Sequence, residues 1–422
     1  MVVTLGHIFL LLLSAVSVVQ RSPRRALPLK TAAAAAAAQL YAPPSGYNGT
    51  IAGWEPNMSH WQVSQALQAL LEVEEPSAAL TALINATMAD VLRVHTAEYV
   101  LHEMAGAYDD LGWWTLFFLA AHARNVSGAQ AQWLARARSV YDATFAEAWE
   151  TATCEGGLWW SKKHFYKNAI TNTLALDAAV QLAEATAATN ASAHAAYTAQ
   201  AKLIGSWLVQ SGLIDANTSF VYDGLTQIDG PRVCAPSGIL QREVWTYNIG
   251  KALDALLSYE RILNGGDNDN ASDGDGGALL ALAAALANAT IDRFVLPPPD
   301  PPGGVAVLVE LLGIHDRDQQ LFKGIFCRSL ARFVKTLRAR GAHAEVDAKA
   351  SAFLVHSAAV VAATRQRDGL FAADWRAPPP STGATNRCNS NESPSEWKSC
   401  VGPTPQTSAL YLLNAAVEVG RA

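Results

Sequence analysis

Tyr108-Asp109-Asp110-Leu111-Gly112-Trp113-Trp114 runs directly into Leu116-Phe117-Phe118-Leu119-Ala120-Ala121. The second half is apolar all round. As a helix it has no face for solvent, so it must be buried on every side. The first half places two adjacent carboxylates and two indoles at the start of that helix. A carboxylate pair is the minimal equipment for cleaving a glycosidic bond: one member protonates the leaving oxygen, the other attacks or supports C1. Like charges this close do not readily ionise together, so one member tends to keep its proton. Aromatic faces suit the apolar side of a sugar ring. An Asp pair at a helix start also caps the helix and complements its dipole, so the pair alone does not settle the chemistry.

Working outward, ten further segments have helical character. In chain order they run from Ser59 to Glu72, from Pro76 to about Val94, about Ala129 to Thr151, about Tyr166 to Ala187, and roughly Ala191 to Gln210. The rest begin near Trp245, Ala278, Gln319, Val346 and Pro405. The pattern behind this order is an alternation. From the helix at Asp109 onward, every second helix opens with unusual residues: Asp-Asp-x-x-Trp-Trp, Lys167-Asn168 with Asn172, Trp245-Thr246-Tyr247-Asn248, Phe322-Lys323-Gly324, Gln406-Thr407-Ser408. The intervening helices are plainly amphipathic. In a closed double ring of helix hairpins the alternate helices are inner and parallel, so their N-termini share one rim. Eleven segments with one unrecognised fit an all-α, six-hairpin (α/α)6 barrel. No repeat of about 34 residues supports a superhelical array.

The chain has 422 residues and a net charge of -6, with no basic surplus for nucleic acid. No His-Glu-x-x-His or Cys-x-x-Cys spacing occurs, so no metal is expected. Residues 1–19 are expected to be a signal peptide, and Arg21, Arg24 and Arg25 leave an uncleaved membrane anchor open. Residues 20–54, with the alanine run Ala32 to Ala38, are expected to be a low-complexity linker, and 55–422 the catalytic domain. Asn-x-Ser/Thr sequons fall at Asn48, Asn57, Asn85, Asn125, Asn190, Asn217, Asn270, Asn288 and Asn391. Five cysteines suggest Cys388–Cys400 as a local bridge, Cys154–Cys234 as a tie between longer loops, and Cys327 as a buried free thiol. The acidic stretch from Asp267 fails as a calcium loop, with Ser272 and Ala278 where Gly and Glu belong.

Taken together, Tyr108-Asp109-Asp110 with Gly112-Trp113-Trp114, Gly156-Gly157-Leu158-Trp159-Trp160, Tyr166-Lys167-Asn168-Ala169-Ile170-Thr171-Asn172, Asp223-Gly224, Trp245-Thr246-Tyr247-Asn248 and Phe322-Lys323-Gly324-Ile325-Phe326 resemble glycoside hydrolase family 76, the endo-α-1,6-mannanases. The resemblance covers about residues 55 to 420. It implies an (α/α)6 barrel, retention of configuration, α-1,6-linked mannose chains as substrate, and no cofactor. It makes Asp109 the nucleophile and Asp110 the general acid/base, roles that the spacing alone leaves open. Trp113, Trp159, Trp160, Trp245 and Tyr247 become sugar platforms, with a core role as the competing reading. Asn168, Asn172, Asn248 and Asp223 become hydroxyl-binding groups, with helix capping as theirs. A secreted monomer is expected. The end Val417-Glu418-Val419-Gly420-Arg421-Ala422 has no apolar tail, which favours a free hydrolase over a wall-bound transglycosidase. A non-catalytic mannan-binding barrel is the remaining alternative, and the self-repelling Asp pair argues against it.

Overall fold

The computed structural model describes residues 29–41, 58–236, 238, 242–265, 275–297, 306–365, 369–376 and 400–420. Thirteen α-helices are found there: α1 Leu29–Gln39, α2 His60–Leu71, α3 Ala78–Val94, α4 Ala97–Glu103, α5 Tyr108–Ala123, α6 Gln130–Ala148, α7 Ala169–Thr186, α8 Ala191–Gln210, α9 Thr246–Leu263, α10 Asp275–Phe294, α11 Gln319–Arg340, α12 Ala344–Ala363 and α13 Pro403–Val419. Helices α2, α5, α7, α9, α11 and α13 pack in that order, and α13 closes back on α2. They are the inner ring. In α7 and α13 nearly every residue is buried, whereas the outer helices α3, α6, α8 and α12 bury single stripes. The alternation seen in the sequence is therefore the alternation of inner and outer rings.

Inner helices can approach closely only where side chains are missing. A Cβ on Gly324 of α11 would lie 2.6 Å from the Ser408 Cα of α13, and one on Gly250 of α9 would lie 2.7 Å from the Phe326 Cα of α11. These glycines sit in the first two turns, so they narrow the ring near its mouth.

One expectation is corrected. The alanine run is not a linker: residues 29–39 form α1, which packs on α13 and buries Ala32, Ala33, Ala36 and Ala37. The Gln406 amide also donates to the Ala36 carbonyl at 2.9 Å. Alanine forms helix readily and lets two helices approach closely, so a featureless run makes a good outer wall here. α1 is the outer partner of α13 and completes the sixth hairpin. The short α4, also unexpected, bridges α3 and α5 with Thr96 as its cap. The expected leader at 1–19, Cys388, and residues 267–274 of the acidic loop lie outside the described residues.

Small antiparallel pairings decorate the ends. β1 (Lys167–Asn168), β4 (Gly224–Asp229) and β5 (Val233–Ala235) form one sheet; β2 (Ile214–Asp215) pairs β3 (Phe220–Val221), and β6 (Val295–Leu296) pairs β7 (Val307–Leu308). The Cys154–Cys234 disulfide ties the loop after α6 to β5, as expected. Cys327 is a free, buried thiol, and Cys400 is disulfide-bonded.

Candidate active site

Asp109 and Asp110 occupy the first turn of α5. The start of this helix is pinned to the loop after α6, where the Tyr108 amide donates to the Trp160 carbonyl at 2.7 Å. Burial pushes the Asp109 carboxyl up to about 7, and the Asp318 charge adds to this, while backbone amides and the Trp160 indole pull the other way. Its Oδ1 is buried and has no hydrogen-bond partner among the described residues. Burial also drives Asp110 well above the carboxylate range, reinforced by the charges of Asp109 and Asp318. A pair in this state retains a proton near neutral pH, as an acid and nucleophile couple requires.

Asp318, immediately before α11, was not singled out in the sequence. In that position it reads as an ordinary cap, yet it makes no side-chain cap bond. Its Oδ1 instead accepts from Trp61 Nε1 at 3.1 Å and Gln62 Nε2 at 2.9 Å, both on α2. Burial lifts it to about 6, with Asp316 adding to the effect. Gln62 also donates to the Arg317 carbonyl at 3.2 Å and accepts from the Thr404 hydroxyl at 3.2 Å. One glutamine thus joins the N-termini of α2, α11 and α13. Trp61 in turn stacks on Trp113, with centroids 5.6 Å apart.

Asp223 lies in the tight connection between β3 and β4. Its amide donates to the Glu243 carbonyl at 2.9 Å, and its own carbonyl accepts from the Ala169 amide at 2.8 Å, at the start of α7. The carboxylate accepts from the Tyr166 hydroxyl and from Asn248 Nδ2, the latter at 2.8 Å. Burial raises it to about 6 against these two bonds. Gly224 is needed beside it, because a Cβ there would lie 2.4 Å from the Tyr166 ring.

The remaining candidates divide. Tyr247 is half-buried and stacked on Phe322 with centroids 3.9 Å apart; Trp245 is buried with its edge on the same ring, and its indole donates to Glu243 at 3.1 Å. Glu310, also unrecognised in the sequence, holds this segment by accepting from the Thr246 amide at 3.1 Å and from its hydroxyl. Trp160 is half-buried at the rim, while Trp114 is fully buried and stacked on His95. Trp159 is buried between the His164 ring and the Lys167 ammonium, 4.6 Å from its ring. Lys167 itself donates to the carbonyls of Glu150, Thr153 and Gly156, so it clamps the loop. Lys323 similarly donates to the Ala373 carbonyl at 2.9 Å. Asn168 caps α7, accepting from the Thr171 amide at 3.2 Å.

Asn172 is a correction. Its Oδ1 accepts from the Leu158 amide at 2.8 Å, and its Nδ2 donates to the carbonyls of Leu158 and Asn168 at 3.0 and 2.8 Å. Both donors are spent and the residue has no exposed surface, so it positions the Trp159–Trp160 loop and has nothing left for a ligand.

A six-hairpin helical barrel that gathers buried carboxylates of raised proton affinity at one mouth has the architecture of a carbohydrate-active enzyme. Comparison with known proteins agrees: the profile described as glycosyl hydrolase family 76 matches residues 29–419, and the chain belongs to that family. A mannan endo-1,6-alpha-mannosidase of Eremothecium gossypii is 34% identical over 153 residues, which is 34% of this chain and 31% of that protein. One from Candida albicans is 29% identical over 154 residues, again 34% and 31%. The chain thus aligns with about a third of the length of these curated relatives. Among solved structures, the alpha-1,6-mannanase of Salegentibacter sp. HEL1_6 superposes with a TM-score of 0.66 at 19% identity, covering 93% of this chain and all of that one. An inactive variant of it, altered at two aspartates and in complex with alpha-1,6-mannotetrose, gives 0.67 at 18%. At these identities the superpositions speak for the (α/α)6 fold.

Proposed function

We propose that this protein is an endo-acting, retaining glycoside hydrolase that cleaves α-1,6-mannosidic linkages in mannan. The observation that carries the reading is the adjacent Asp109–Asp110 pair, raised in proton affinity and set among further carboxylates at the barrel mouth. Membership of family 76 and the names of the fungal relatives support the substrate. Asp110, which burial and two neighbouring charges keep protonated, gives its proton to the glycosidic oxygen. Asp109, through the oxygen left without a partner, attacks C1, and the leaving chain departs as an alcohol. The resulting glycosyl ester is opened by water, which returns a proton to Asp110 as its oxygen bonds to C1. Asp223 and the rings of Tyr247, Trp245, Trp160, Trp113 and Trp159 line or support the path of the mannose chain, with Asn248 orienting Asp223 and Asn168 holding the start of α7.

We also place the enzyme outside the cell. The Cys154–Cys234 disulfide fits an oxidising compartment, and the sequon asparagines Asn85, Asn125, Asn190 and Asn217 are exposed.

The test is to incubate the full chain with linear α-1,6-mannan and follow product size and anomeric form. Short α-configured oligosaccharides are expected. An unchanged polymer would overturn the proposal, and longer new chains would replace hydrolysis by transglycosylation.

A further inference from the structure

Phe165 is the most exposed large hydrophobic residue among the described ones, at 57%. Single exposed apolar side chains are common and need no explanation. This one is different in how it is held. The Trp160 amide donates to the Tyr166 carbonyl at 2.8 Å, closing a loop whose tip is residues 161–165. At the tip, His164 adopts a left-handed conformation with φ of 51°, a geometry that residues with a Cβ avoid unless their surroundings impose it. The surroundings are visible: the His164 ring lies flat on Trp159, with centroids 5.2 Å apart and planes within 6°, its amide donates to the Ser161 carbonyl at 3.1 Å, and Lys162 pairs with Glu147 at 3.1 Å. The turn is thereby fixed, and Phe165 is directed outward from it.

Its neighbours connect it to the reacting groups. The Phe165 ring meets Trp160 edge-to-face at 6.1 Å and lies nearly parallel to Tyr166 at 6.2 Å. The Trp160 indole faces Asp109 closely enough to lower its proton affinity, and the Tyr166 hydroxyl donates to Asp223. Phe165 is therefore one ring removed from both carboxylates, and it is more exposed than either ring between. An exposed phenyl face this near the two acids suits the C–H face of a pyranose.

We propose that Phe165, with the exposed part of Trp160, forms an aromatic shelf that takes a further mannose residue of the chain, beyond the unit cleaved at Asp109 and Asp110. The proposal rests on the mannanase reading above and assigns the recognition of chain length to this loop. The experiment compares the full chain with Phe165→Ala, Phe165→Leu and Phe165→Trp. For each, kcat/KM is measured on linear α-1,6-mannan and on the shortest α-1,6-mannooligosaccharide that the unaltered enzyme cleaves. Phe165→Ala should lower the ratio of long to short substrate by roughly fivefold to tenfold, mainly through KM. Phe165→Leu, which keeps apolar bulk without a ring face, should fall nearly as far, and Phe165→Trp should hold the ratio within about twofold. The leucine and tryptophan variants keep the comparison alive if the alanine variant folds poorly. An unchanged ratio in an active Phe165→Ala, or a leucine variant that matches the unaltered enzyme, would overturn the shelf alone. An unaltered enzyme inert on every α-1,6-mannan would overturn the parent reading and the shelf's ligand with it.

Discussion

The barrel holds two groups of buried acids, and they are treated in opposite ways. At the mouth, Asp109, Asp110, Asp318 and Asp223 have only neutral donors at hydrogen-bonding distance among the described residues, and all four are raised. Two turns deeper, Asp177 of α7 and Asp254 of α9 flank Lys251, at 3.0 and 2.8 Å, with Arg332 of α11 3.3 Å from Asp254. Ser258 and Ser329 complete the network at 2.9 Å each. There burial would raise both acids, but the neighbouring cations, with the Gln181 amide at Asp177, outweigh it and hold them below the usual range. Desolvation acts on both groups and the results are opposite, so burial alone does not mark a site. What marks it is burial without a cation at bonding distance among the described residues, which costs stability and is retained where the proton has a use.

The contrast can be broken by mutation, starting with the largest effect. Asp109→Asn should lower turnover of α-1,6-mannan by roughly 10⁴-fold or more, with mannan binding retained in an affinity-gel assay. A variant that stays active would remove Asp109 as nucleophile. Asp110→Asn should cost roughly 10²–10⁴-fold on mannan, where the leaving group needs a proton, and far less on an aryl mannoside with an activated leaving group. Equal losses on both would argue against it as the acid.

Stability should respond with opposite signs in the two groups. Lys251→Met strands Asp177, leaves Asp254 with Arg332 alone, and should destabilise the fold by about 3–5 kcal/mol in denaturant titrations. Asp109→Asn should stabilise it, on the order of 1 kcal/mol once solvent screening is allowed for. The sign follows from the folded carboxyl lying near 7, above its unfolded value of about 4. Folded and unfolded chains are both protonated below about 4, so no gain is expected there. The gain grows between about 4 and 7 and is complete above that. A loss of stability in the asparagine variant would show that Asp109 is held by unseen partners.

The smallest expected effect is also the most specific. Asp318→Asn removes a negative charge that raises both members of the pair. The nucleophile would then ionise at lower pH and the acid would lose its proton at lower pH. Both limbs of the kcat/KM profile should move in the acid direction, by about half to one unit. A profile that drops in height without moving would leave Asp318 a purely structural anchor for Trp61 and Gln62.

Much of this arrangement is legible in the sequence because it is local. A helix apolar on every side announces an inner helix, and the unusual residues at the starts of alternate helices announce a common mouth. Asp109-Asp110 is visible as a pair because its members are adjacent; Cys154–Cys234, 80 residues apart, is reached instead by pairing off a small number of cysteines. The inner and outer ring assignment and the (α/α)6 class therefore follow from periodicity and order. Other features are not local. Asp318 meets Trp61 across 257 residues of chain, and nothing near it distinguishes it from a routine cap. Asn172 looks like a ligand-binding residue until the loop at Leu158, 14 residues earlier, is seen to consume its amide. The alanine run at 32–38 has the composition of a linker, and its helix becomes a wall only because α13 closes against it. Helix propensity and residue type are properties of the chain by itself. Which polar groups remain free, which charges go unpaired and which helix has a partner depend on what folding brings alongside, and those were decided by the tertiary structure.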